Sequence, residues 1–123
     1  MGTTKLIYSG LKTDIYAYCN PRGECLALDF IYSLDESSQS KIVRLLKEFA
    51  ERGEIHNSEK FRLEKKPIFA FKSYQTRILC FFYPDAQKKR IVLTHGFLKK
   101  KNSLPKSELV KAQQIYVEVM NIK

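Results

Sequence analysis

Apolar positions along this chain follow two different periods, and the change from one to the other marks out its elements. Ile42, Leu45, Leu46 and Phe49 fall at i, i+3, i+4 and i+7, one face of a helix, with Lys41, Arg44, Lys47, Glu48 and Glu51 on the wet side. Residues 35–38 offer capping oxygens at its start and Gly53 a stop. Leu26, Ile31 and Leu34 fit a short helix just before it, although residues 28–32 also read as a strand. Ahead of this helical pair, residues 13–18 alternate loosely and run into the turn-rich Cys19, Asn20, Pro21, Arg22 and Gly23, a first strand and a bend.

After a polar link at residues 56–66 the pattern becomes strand-like. Pro67 introduces three runs, at residues 68–73, 76–83 and 90–98, joined by short connections. The four residues Pro84, Asp85, Ala86 and Gln87 carry turn chemistry, which predicts antiparallel hairpins. A last helix follows, with Ser103 as cap, Pro105 in its first turn, and Leu109, Ala112, Tyr116 and Val119 as its apolar stripe. Strand, helical pair, three antiparallel strands and helix specify a single α+β domain over residues 1–123, with helices against one face of the sheet.

Charge changes the picture next. Between Lys65 and Lys106 stand eleven basic residues and one acid, Asp85, whereas the rest of the chain holds eleven basic and twelve acidic residues. The net charge of +9 therefore reads as one local field, suited to a polyanion. The plainer alternative is a solvated face, since lysines are rarely buried. Among 123 residues, 28% are charged and 44% apolar, an ordinary globular balance. The longest apolar runs, at residues 68–71 and 78–83, are too short to span a bilayer. The N-terminal residues form neither a signal peptide nor a myristoylation pattern, so no membrane partner and a cytoplasmic location are expected. Cys19, Cys25 and Cys80 cannot all pair within one chain and form no Cys-x-x-Cys, which makes reduced thiols the simplest expectation. A metal site from Cys19, Cys25 and His56 is set aside for lack of a fourth ligand.

The run from Arg77 to Tyr83, the stretch Ile91, Val92, Leu93, Thr94, His95, Gly96, Phe97, Leu98, Lys99 and Lys100, and then Pro105, Glu108 and Ala112 resemble phage-derived HigB-like toxins of the RelE/ParE superfamily. Ala70 departs from the pattern, in which an acid is common, as does Leu104, where a hydroxyl cap is usual. The resemblance implies a RelE-like domain: an antiparallel sheet with a mixed edge, an N-terminal helical pair on one face, and a C-terminal helix. It implies the toxin of a type II toxin–antitoxin pair, a ribosome-dependent mRNA endonuclease that attacks through the RNA's own 2′-hydroxyl without a cofactor or metal. The partners implied are the ribosome and mRNA, a cognate antitoxin of helix-turn-helix type, and operator DNA through the antitoxin complex. Two rivals share the resemblance: a non-catalytic RNA-binding inhibitor of translation and a ParE-like inhibitor of a topoisomerase.

Roles follow from residue type. Arg77 suits the charge that builds on phosphate oxygens, or else a sheet-edge pair with Glu108 or Glu64. Lys72 is a second phosphate clamp or, with a depressed pKa, a proton acceptor. His95 would exchange a proton, or sit half-buried between Leu93 and Phe97 on the same strand face. Lys99 and Lys100 would project to opposite sides of a continuing strand, so that one of them, with Lys99 the first candidate, reaches the scissile phosphate and the other holds neighbouring backbone or ribosomal RNA. Lys88, Lys89, Arg90 and Lys101 are further nucleic-acid contacts. Tyr74 would stack on a base, or pack like most of the fifteen aromatics. Gly96 marks either a bulge or a close approach of backbone.

Overall fold

A computed structural model describes residues 2–84, 87–100 and 104–121. Six strands and three helices follow one another as β1 (Thr3–Ser9), β2 (Thr13–Cys19), α1 (Leu26–Ser33), α2 (Glu36–Arg52), β3 (Phe61–Lys65), β4 (Ile68–Ser73), β5 (Thr76–Tyr83), β6 (Lys89–Leu98) and α3 (Lys106–Asn121). One sheet contains all six strands, in the order β1-β2-β6-β5-β4-β3. It is mixed, because β2 runs parallel to β6 while every other neighbour is antiparallel. The α+β class and the three central strands agree with the periodicity.

Local signals explain the helices. Asp35 caps α2 by accepting the backbone N–H of Ser38 at 2.9 Å, and Gly53 ends it at φ 83°, a left-handed turn that glycine enters freely. Ile42, Leu45, Leu46 and Phe49 are buried as their spacing requires. The ambiguous segment is the helix α1, which buries Ala27 and Ile31. The Ser103 cap lies outside the described residues, as do Asp85 and Ala86 of the β5–β6 turn.

Two strands were not legible. β1 and β3 form the sheet's two edges and are mostly exposed, so neither shows the alternation of a half-buried strand. The expectation that all helices cover one face is also corrected. α1 and α2 pack with Ile15, Phe71, Ile78, Cys80, Ile91 and Leu93 on one face, while α3 packs with Ile68, Ala70, Leu79, Phe81 and Val92 on the other. Every second residue of a central strand therefore meets a different helix layer. The expectation of reduced thiols fails for two of the three. Asn20 organises the bend after β2 by accepting the backbone N–H groups of Arg22 and Glu24, which brings Cys25 back to Cys19, and the two are joined in a disulfide. Cys80 is free and buried. Among the described residues no helix is long and apolar enough to cross a membrane.

Candidate nucleic-acid interface

The β4–β5 turn and the C-terminal end of β6 bring the central candidates together. Lys72 on β4 is the cross-strand partner of Arg77 on β5, and Arg77 in turn faces Phe97 on β6. Between Leu79 and Cys80 the β5–β6 register slips by one residue, so His95 pairs with Leu79 and Leu93 with Cys80. Thr94 is the extra residue of this bulge. It corrects the expectation that His95 shares a strand face with Leu93. Leu93 belongs to the α1/α2 layer, while His95 turns beneath α3 with Phe97, its ring centroid 6.0 Å from the phenyl ring. Gly96 is the close approach rather than the bulge, because a Cβ there would overlap the Phe30 ring.

Arg77 is only 8% exposed and forms no salt bridge with Glu108 or Glu64, although burial lowers its pKa against the opposing charge of Glu64. β5 is an inner strand, not an edge. Its Nη1 donates to the carbonyl oxygens of Tyr74 and, at 2.9 Å, Thr76. Nη2 and Nε have no protein hydrogen bond among the described residues, which leaves a fork for an oxyanion. Arg77 thus also braces the turn that carries Tyr74. Tyr74 adopts φ 55°, a left-handed conformation costly for a residue with a side chain, and is 81% exposed, so it does not pack in the core. Lys41 Nζ lies 4.6 Å from the centre of its ring.

Lys72 donates from Nζ to the Ser58 carbonyl at 3.3 Å. Partial burial lowers its pKa, and the charges of Arg77, Arg62 and Lys99 lower it further against the opposing effect of Glu64. Lys99 extends the sheet by one bond, from its N–H to the Gln75 carbonyl at 2.8 Å, and is half-buried; Lys100 is exposed, and Lys101 lies outside the described residues.

His95 is 3% exposed, with both ring nitrogens engaged. Nε2 lies 2.9 Å from Glu108 Oε1 and Nδ1 3.1 Å from Thr94 Oγ1. Burial lowers its pKa, the bond to Glu108 opposes this, and Lys111 adds to the lowering. A ring N–H at Nε2 donates to the carboxylate, while the Thr94 hydroxyl beside Nδ1 gives its one proton to the Leu79 carbonyl at 3.1 Å. Its connection to solvent is Glu108, whose side chain is 29% exposed. In sequence Glu108 stands out only as part of a motif and as a possible Arg77 partner, because nothing local announces that α3 lays it over the bulge.

The basic stretch is not one field. Lys88, Lys89 and Arg90 stand at the opposite end of β6, roughly 30 Å from Leu98 at about 3.3 Å per residue. They also have structural partners there. Lys88 bridges Asp14 at 2.7 Å and holds its carboxyl below the usual aspartate range, Lys89 donates to the Gly53 carbonyl at 2.6 Å beside the rings of Phe49 and Phe82, and Arg90 covers Tyr16. The Lys72 end gains cations from elsewhere instead. An open groove of about 400 Å³ between α2 and the β4–β5 turn is lined by Lys41, Arg44, Lys60, Lys72 and Tyr74. In sequence the first two look only like the wet face of a helix.

Residues 29–117 match the family described as "Phage derived protein Gp49-like (DUF891)", and the chain belongs to that family. It is a phage-derived family associated with the toxins of toxin–antitoxin pairs. No curated protein matches the chain.

Proposed function

We propose that this Gp49-like protein is a HigB-like toxin of the RelE/ParE superfamily, with a RelE-like arrangement of its α+β fold, that cuts mRNA on the ribosome. A cognate antitoxin would neutralise it. The observation that carries the reading is the cross-strand pair of Lys72 and Arg77 beside Lys99. Three cations at one end of the sheet, one with a free guanidinium fork and one with a lowered pKa, are what metal-free cleavage by a 2′-hydroxyl needs. Arg77 would hold the charge on the phosphorus oxygens, and Lys72 would take the 2′-hydroxyl proton as O2′ bonds to phosphorus and the P–O5′ bond breaks. Water would protonate the leaving 5′ oxygen, and Lys99 would grip the adjoining phosphate. His95 would act through Glu108 rather than on the RNA, as a positioning residue that fixes α3 over the sheet. Lys100 and Lys101 would meet neighbouring RNA backbone, and Lys88, Lys89 and Arg90 would at most touch ribosomal RNA remote from the cut. The shelter around His95 favours one second reading, an inhibitor that holds RNA and blocks translation without cutting it.

The test is primer extension on a defined mRNA in a reconstituted translation reaction, with wild-type protein, with Arg77→Ala, and without ribosomes. New 5′ ends only with wild type and ribosomes are expected, and Arg77→Ala should lower cleavage by at least about a hundredfold. Stalled translation on intact mRNA would select the non-cutting inhibitor. No effect on translation would sink both and return attention to a topoisomerase target.

A further inference from the structure

The groove between α2 and the β4–β5 turn lies outside the proposed cutting site, meeting it only at Lys72. We propose that it is a second RNA site, which seats one nucleotide of a single strand beside the nucleotide whose phosphate meets Arg77, with Tyr74 as the stacking platform. This rests on the reading that the ligand is RNA and adds where its next nucleotide goes.

Size, charge and ring exposure all point the same way. The groove's volume of about 400 Å³ is that of a small-ligand site. Lys41 and Arg44, one turn apart on α2, face Lys60 and Lys72 across it, and among the described residues no salt bridge joins Lys41, Arg44 or Lys60 to an acid. Two carboxylates, Glu48 and Glu59, also line it, but Glu48 lies 4.0 Å from Arg52. Four cations therefore outnumber two acids around an aromatic ring. Tyr74 is 81% exposed on a left-handed backbone that Arg77 braces, held by Lys41 over one face of its ring rather than by core packing, so a base would stack on the other face. A flat ring in water beside cations is how proteins hold unpaired bases without regard to sequence, whereas an acidic protein segment would use the cations and have no need of the ring. Lys72 makes the two sites continuous, since it lines the groove, bonds the Ser58 carbonyl between the lining residues Asn57 and Glu59, and feels the charges of Arg77 and Lys99.

The experiment is fluorescence anisotropy of a labelled single-stranded RNA oligonucleotide with the purified full chain at several salt concentrations, followed by the cleavage assay on the same variants. Tyr74→Asn removes the ring but suits the left-handed backbone, so the hairpin is kept; it should weaken binding about 5- to 100-fold, and Tyr74→Phe should stay within about twofold of wild type. Arg44→Ala combined with Lys60→Ala should flatten the plot of log affinity against log salt by about 1.4, the loss of two phosphate contacts. Wild-type affinity and salt slope in all these variants, with Arg77→Ala still blocking cleavage, would overturn the groove and leave the nuclease standing. A wild-type protein that binds no free RNA would overturn the groove site, while new 5′ ends in the ribosome-containing reaction would still uphold the nuclease. If poly-glutamate depends on the groove residues and RNA does not, the groove belongs to an acidic protein and the proposal fails.

Discussion

The two faces of the sheet are built to different ends. Beneath α1 and α2, the rings of Phe49, Phe61, Phe69, Phe71 and Phe82 lie with centroids 4.8–6.3 Å apart, and Ile42, Ile78 and Ile91 are fully buried around them. Beneath α3 the apolar layer is shorter. Leu79, Phe81 and Val92 meet Ala112, Ile115 and Val119, and then the same strands turn polar at Arg77 and His95. One face receives two helices and closes over its rings; the other receives one and turns polar at Arg77 and His95, while Lys41 and Arg44 bring further cations to the β4–β5 turn from α2. A sheet two residues deep in apolar contacts can thus carry a core and a site on the same three strands, because alternate side chains answer to different layers.

The sharpest way to break this contrast is to compare stability across the faces. Phe49→Ala should cost about 3–5 kcal/mol in urea unfolding, since it removes the ring that touches Phe61, Phe71 and Phe82. Arg77→Ala should cost less, about 1–3 kcal/mol from its turn hydrogen bonds, while abolishing the proposed mRNA cleavage. Equal losses would mean that the α3 face is as much a structural core as the other.

A smaller loss tests the contact between strand and helix pair. Gly96→Ala sets a methyl group against the Phe30 ring and should destabilise by about 1–3 kcal/mol, with Phe30→Leu recovering part of it in a double-mutant cycle. Additive effects would show that the crowding is relieved elsewhere.

The least effect concerns pH. His95 has a folded pKa below its ordinary 6.5, so the folded chain refuses a proton that the unfolded chain accepts. Its contribution is whole above about pH 6.5 and is lost as pH falls toward the folded value. Urea midpoints should therefore decline from about pH 7 to pH 5, and less steeply in His95→Asn. A midpoint that rises over that range would mean that the Glu108 carboxylate holds the ring protonated, reversing the sign.

Legibility followed burial. The two long-period helices and the three central strands were readable because most of their positions either face a core or plainly do not, which imprints a period on the residues. β1 and β3 left no such mark, since edge strands expose most of their side chains and owe their form to a neighbour's hydrogen bonds. Within the candidate site, Arg77, Lys72 and Tyr74 were found because a cation or ring beside a hairpin turn is unusual by type. Lys41, Arg44 and Lys60 were passed over because a basic residue on a wet helix face or in a polar link looks the same whether or not it lines a groove.

By itself, then, the sequence determined the α+β class, the central hairpins, the caps of α2 and a basic C-terminal half. These are local matters: propensity, period and the count of charges all act within a turn or a strand. Tertiary structure alone decided that α3 lies opposite the helical pair, that Cys19 meets Cys25, that a one-residue bulge turns His95 toward Glu108, and that Lys88 to Arg90 stand far from Lys72 while Lys41 stands near. Each of these depends on which distant segments share a surface, and charge along a chain carries no record of distance in space.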